Sequence, residues 1–202
     1  MSIAKLLATA GAAALLAAIV SIPAASAAEM ANTQLKDSSG KAVGDVDLVQ
    51  TPAGVLIKLQ IKGLSPGEHA FHVHAVGKCE APFESAGPHF NPGNHKHGMM
   101  AGEGHAGDMP NLHVPQSGEL SVEVVNTAIS LDKGKPNSVF DNDGSALVVH
   151  AKADDYKSDP AGNAGDRIAC GVIQPSGATV GSAPVPAPNT PAQRFRGEPS
   201  PK

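Results

Sequence analysis

"VLIKLQI", residues 55–61, alternates: Val55, Ile57, Leu59 and Ile61 fall on one side, Lys58 and Gln60 on the other. A period of two belongs to an extended chain with one buried face, not to a helix. Short runs of similar character recur on either side, at residues 31–36, 43–51, 69–76, 111–114, 120–126, 145–151 and 168–173. Turn sequences such as "DSSGK", "PAG" and "GLSPGE" divide the first of them. Nothing between them has convincing helical periodicity. The expected fold class is therefore all-β, an eight-stranded antiparallel Greek-key sandwich or flattened barrel carrying long loops.

The composition agrees. The chain has 202 residues, enough for one domain plus terminal extras, with 22 glycines and 17 prolines to serve turns. Five Phe, one Tyr and no Trp leave the core to Val, Ile, Leu and Ala. A formal charge of −4 and the lack of any basic run argue against a nucleic-acid partner.

Both ends stand apart from the domain. Between Lys5 and Glu29 lie 23 uncharged residues ending in Ala25-Ser26-Ala27, the small-x-small pattern of a cleaved export signal. The stretch is also long enough for a membrane anchor, but Pro23 and the small-residue end favour cleavage. Residues 1–27 are read as a signal peptide and 28–174 as the domain. No stable membrane insertion is expected once the signal is removed. Residues 175–202, rich in Pro, Ala and Ser, are read as a disordered tail. In an oxidising compartment Cys79 and Cys170, 91 positions apart, are expected to form a disulfide.

Histidine placement carries the chemistry. In "FHVH", His72 and His74 are one residue apart in a strand, so both side chains leave the same face and can approach one ion. His150 closes the apolar run "ALVVH" and could add a third nitrogen. Imidazole alone does not select among copper, zinc, iron and nickel. The stretch "SAGPHFNPGNHKHGMMAGEGHAGD", residues 85–108, is too rich in Gly for a strand or helix and holds a second set. His89, His97, His105 and Asp108 follow at intervals of seven, seven and two intervening residues. Three nitrogens and one carboxylate suit a structural zinc ion, which would also order the loop. His95 is the alternative to His97.

The fragments "GEHAFHVH", "SAGPHFNP", "KHG", "HAGD", "VVHAKADD" and "GNAGDRIACGVI" together resemble copper–zinc superoxide dismutase, in order, from about residue 31 to 173. The resemblance implies that His72, His74, His89 and His150 bind copper and that His89, His97, His105 and Asp108 bind zinc, one ion of each per subunit. His89 would bridge the two metals and donate a proton. Asp154 would hydrogen-bond a histidine from each set, with Asp155 its neighbouring competitor. Arg167 would stand at the copper-site mouth. His69 is expected to serve the scaffold and His113 to lie on a strand surface. The implied activity is an antioxidant one, dismutation of the superoxide anion to dioxygen and hydrogen peroxide.

Two features depart from eukaryotic members: the short segment "DDYKSDPAGNAGDR" and a long interval between Cys79 and His89. With the export signal they resemble the bacterial periplasmic branch. They leave open which lysines steer substrate, Lys152 and Lys157 being candidates, and whether the chain forms a homodimer. Because the substrate is an anion and the chain is net negative, local positive potential is expected in the channel, with Arg167 its main source. The competing class is an exported copper or zinc carrier on the same fold, which would need neither Arg167 nor a complete copper set.

Overall fold

The alternation in residues 55–61 becomes β3 (Gly54–Lys62), whose Val55, Ile57, Leu59 and Ile61 are all buried. The computed structural model describes residues 29–100 and 102–176. β3 is flanked by β2 (Ala42–Thr51) and β7 (Glu119–Asn126), each paired with it antiparallel over eight residues. β1 (Met30–Asp37) lies against the far side of β2. Leu35, Val46 and Leu48 join the β3 residues in one core, so the inward faces of successive strands form a continuous apolar layer.

The sheet continues from β1 through β9 (Arg167–Val172) and β8 (Ala146–His150) to β5 (Phe71–His74) at its edge. A separate two-stranded sheet pairs β4 (Gly67–His69) with β6 (Leu112–Val114). Non-consecutive neighbours, β3 with β7 and β9 with β1, give the crossovers expected of Greek-key connections. Among the described residues the single helical turn is a 3-10 turn at Glu84–Ala86.

Two expectations need correcting. The run at residues 69–76 is not one strand. His69 pairs with Leu112 in the small sheet, whereas Phe71–His74 pair with β8. Ala70 is the junction: its N–H donates to Lys152 O (2.8 Å) and its carbonyl accepts from His150 N–H (2.9 Å). Beyond His74, Ala75 and Val76 donate to Pro88 O and Ala86 O, loop carbonyls rather than strand ones. The tail boundary also shifts. β10 (Gln174–Pro175) pairs with β1, and Ser176 N–H donates to Met30 O (2.8 Å). The expected export signal, residues 1–27, and residues 177–202 of the expected tail lie outside the described residues. Among the described residues no helix is long and apolar enough to cross a membrane.

Cys79 and Cys170 are bonded, with Cα atoms 5.7 Å apart. Cys170 sits in β9 and Cys79 in the loop after β5, so the bridge fastens that loop to the sheet. Around it Phe83, Ala86, Ala146 and Val148 form a second, smaller apolar cluster. The link fixes more than the loop. Phe83 O accepts from Arg167 Nη1 at 2.8 Å, which ties the guanidinium, three residues before Cys170, to the same segment. Closing a long loop in this way typically stabilises by about 2–5 kcal/mol. The double variant Cys79→Ser/Cys170→Ser is expected to melt about 10 °C lower than the parent chain in a calorimetric scan.

Candidate metal centre

β5 is buried on both faces. Phe71 and Val73 enter the main core, while His72 and His74 point the other way, as alternation requires. Its partner β8 ends at His150 with a register shift between Val149 and His150, and a bulge of this kind re-aims the side chain that follows it. The free edge of β5 receives the loop of residues 85–108. Phe90 N–H donates to Val73 O (2.8 Å), Val73 N–H to Gly107 O (2.9 Å), and Gly107 N–H to Phe90 O (2.8 Å). His72 faces Asp108 and His74 faces His89 across isolated bridges. Gly107 is required here, because a Cβ at that position would overlap Val73 O. A Gly-rich loop is thereby laid along a strand that already carries two histidines.

The ligand atoms form two groups. Those of His72, His74, His89 and His150 lie within 4.8 Å of one another, as do those of His89, His97, His105 and Asp108. His89 belongs to both. Its Nδ1 is 2.9 Å from Asp108 Oδ1, while its Nε2 is buried and has no hydrogen-bond partner. In the second group the Nδ1 atoms of His89, His97 and His105 approach the same Asp108 oxygen at 2.9, 3.1 and 3.4 Å. Ligands about 2.0–2.1 Å from a tetrahedral ion stand roughly 3.3 Å from each other, so the set fits zinc. In the first group His72 Nδ1 is buried without a partner, and His74 Nε2 lies 3.3 Å from His150 Nε2. Buried nitrogens without hydrogen-bond partners are costly unless something else binds them, and a metal ion that accepts imidazole would do so.

Asp154 holds the two groups in relation to each other. His72 Nε2 donates to its Oδ2 (2.8 Å) and His97 Nε2 to its Oδ1 (3.0 Å), which leaves both Nδ1 atoms for a metal. Asp154 is itself held by Tyr156 N–H (2.6 Å) and, at its backbone N–H and C=O, by the Asn111 amide. Tyr156 Oη accepts from Asn111 N–H at 2.7 Å, closing the network. Burial would raise the Asp154 pKa, but the hydrogen bonds from His72, His97 and Tyr156 outweigh it and bring the carboxyl down to about 2. Asp155 takes no part: it is exposed, and its carboxylate accepts from Lys157, Ser158 and Asn163 in its own turn.

The remaining candidates separate cleanly. His95 belongs to neither group and pairs with Glu103 at 3.0 Å, leaving His97 as the ligand candidate. His69 is buried, with Nδ1 2.8 Å from His150 O and Nε2 2.9 Å from Ser65 O, and so supports the backbone beside His150. His113 is exposed beside Glu68. Arg167 shares with His74, His89 and His150 the lining of a cavity of about 1090 Å³. It is the only Lys or Arg among the described residues that line it; Lys152 and Lys157 do not. Asn111 and Tyr156 are functional residues that the sequence reading misses. The one tyrosine of the chain, two residues after Asp154, is the only available hint.

A β scaffold with two histidine-rich groups sharing one imidazole defines a two-centre metal-binding protein. Residues 42–173 match the family Copper/zinc superoxide dismutase (SODC), and the chain belongs to that family. Superoxide dismutase [Cu-Zn] 1 of Aquifex aeolicus is 52% identical over 146 residues, covering 71% of this chain and 86% of that one. Superoxide dismutase [Cu-Zn] of Escherichia coli K12 is 36% identical over 175 residues, 80% of this chain and 96% of that one. Among solved structures, a double mutant of a SOD-like protein from Bacillus subtilis superposes with a TM-score of 0.68 at 42% identity, covering 70% and 95% of the two chains.

Without metal the buried imidazoles resist protonation. Burial pushes His72 down to about 4, His150 to about 3 and His74 well below its usual value of 6.5. The unfolded chain therefore takes up protons near pH 6.5 that the fold excludes. Stability from these groups is complete above 6.5 and is lost as pH falls towards 3–4. Asp154 acts in the same direction at lower pH, between 3.8 and about 2. Chelator-treated protein is expected to lose roughly 3 kcal/mol or more between pH 7 and 4.5 in urea titrations. Metal-loaded protein should hold its stability further down the scale.

Proposed function

We propose that this chain is an exported superoxide dismutase. Copper would be held by His72, His74, His89 and His150, and zinc by His89, His97, His105 and Asp108. The observation that carries the reading is the membership of His89 in both groups, with one nitrogen beside Asp108 and the other buried without a partner. Bound copper would supply the one-electron couple by which two superoxide anions and two protons give dioxygen and hydrogen peroxide.

The chain's own residues do the rest. The Nε2 of His89, buried without a hydrogen-bond partner beside the cavity, would hold and deliver a proton. Asp108 at Nδ1 keeps that ring from turning. Asp154 fixes His72 and His97 in the tautomer that leaves Nδ1 free. Arg167, 15% exposed and anchored on Phe83 O, can present N–H groups to an anion without wandering. Its presence beside a four-histidine set favours an enzyme over a carrier, which has no need of an anion-binding guanidinium.

Export rests on residues 1–27, read as a cleaved signal, and on a disulfide suited to an oxidising compartment such as the periplasm. Residues from about 177 onward complete the proposed organisation as a tail outside the metal-binding domain.

His89→Ala is expected to reduce both copper and zinc content, measured by elemental analysis, and to abolish most dismutation. Unchanged occupancy of both metals would reject the shared ligand. Arg167→Ala should retain both metals and lower the dismutation rate about tenfold at low ionic strength. Wild-type protein with stoichiometric copper and zinc but no dismutation would establish the carrier instead.

A further inference from the structure

The chain's sulfur is unevenly placed. Its two cysteines are joined and neither is free, so thioethers are the sulfur that remains open to chemistry. Methionine is ordinarily a core residue. Met109 follows that rule at 1% exposed within the main core, and Met30 is half-buried at the start of β1. Met99 and Met100 break it together, at 45% and 66% exposed. Among the described residues the one other exposed large apolar side chain is Val125. The pair lies between His97 and His105 in a segment held by its backbone. His97 N–H donates to Asp159 Oδ1 (2.7 Å), Gly98 N–H to Asp108 Oδ2 (2.9 Å) and Met100 N–H to Tyr156 O (3.1 Å). These bonds fix the segment without help from either thioether. His95 and His105, on either side of the pair in sequence, line the cavity over the histidine groups.

We propose that Met99 and Met100 are a modification site, at which hydrogen peroxide converts two exposed thioethers to sulfoxides that can be reduced again in the folded protein. The choice of oxidant rests on the reading of the chain as a superoxide dismutase, whose product would leave through the cavity beside this loop. The chemistry needs no further reactant. A sulfur lone pair attacks one peroxide oxygen, and the S–O bond forms as the O–O bond breaks. The departing oxygen collects the proton of the attacked one and leaves as water. Sulfur gives up two electrons and the peroxide accepts them. Selectivity follows from burial. Peroxide meets Met99 and Met100 in solvent, whereas Met109 is reached only through local opening, and a sulfoxide there would set a polar group in the core. The exposure that admits peroxide also admits a reductase, which makes the change reversible. Oxidation turns an apolar surface pair polar and leaves the nitrogens and carboxylate of the neighbouring metal group untouched.

The test exposes copper- and zinc-loaded protein to hydrogen peroxide, cleaves it after Lys and Glu, and weighs the peptides by mass spectrometry. Cuts after Lys96, Glu103 and Glu119 separate Met99 and Met100 from Met109, and cuts after Glu29 and Lys36 isolate Met30. Peptide 97–103 should gain two oxygen atoms at least about tenfold sooner than peptide 104–119 gains one, with peptide 30–36 between them. Copper and zinc content should be unchanged at that stage. Methionine sulfoxide reductases for both epimers, applied to the folded protein, should remove both oxygens. Met99→Leu/Met100→Leu should melt within about 2 °C of the parent chain and show no oxygen uptake in peptide 97–103. Equal uptake by peptides 97–103 and 104–119, uptake by 97–103 in the leucine variant, loss of either metal as the sulfoxides form, or sulfoxides that resist reduction until the protein is unfolded would each overturn the inference. Selective oxidation by added peroxide in a protein that shows no dismutation would leave the site intact and remove the enzymatic reading. Dismutation with both thioethers unreacted would do the reverse.

Discussion

One carboxylate organises the metal centre. Asp154 accepts a hydrogen bond from His72 on the edge strand and another from His97 in the long loop, so two segments far apart in sequence acquire a fixed separation. Each bond fixes a tautomer as well as a position, because a ring that donates from Nε2 leaves Nδ1 for a cation. The cost of burying such a charge is met by its neighbours. Tyr156 N–H reaches the carboxylate, and the Asn111 amide holds the backbone that bears it. Gly162 makes room for the arrangement: it sits at φ +62°, and a Cβ there would collide with the Asp154 carboxylate.

Around that point the fold divides its labour. The β1–β2–β3–β7 side is an apolar layer with ordinary alternation and carries little chemistry. The β5–β8–β9 side holds His72, His74 and His150, the Arg167 guanidinium and the disulfide. The disulfide and Arg167 share one short strand and one loop. A covalent link that keeps the loop on the sheet therefore also keeps Phe83 O where the guanidinium needs it.

Much of this arrangement is legible in the amino-acid sequence. Alternation in residues 55–61 marks a strand because Lys58 and Gln60 interrupt an otherwise apolar run. The one-residue spacing of His72 and His74 forces them to a common face, and an even pair of cysteines in a chain read as exported predicts its own bond. The break at Ala70 is not legible. His69 and Phe71 on either side are both buried, so no change of polarity marks the point where the chain passes from one sheet to another. Asn111 and Tyr156 are hidden for another reason: their work is done through backbone groups 43 and 45 positions away, and no local pattern reports such a partner. The acids that line the cavity come from three separate loops, and their convergence is a property of the fold.

The loop that carries the second metal set also closes a boundary. β5 is the last strand of its sheet, and its outward N–H and C=O groups would otherwise offer a template to any extended segment nearby. Val73 satisfies both of its groups on Gly107 and Phe90, and Ala75 donates to Pro88. A strand with ligands on one face and core residues on the other cannot blunt its edge with the lysines or prolines that edge strands commonly use. The chain shields it with its own backbone, and His89 and Asp108, bridged to His74 and His72, are the pins that hold the shield. Whatever loosens His89 and Asp108 therefore also uncovers the edge of β5.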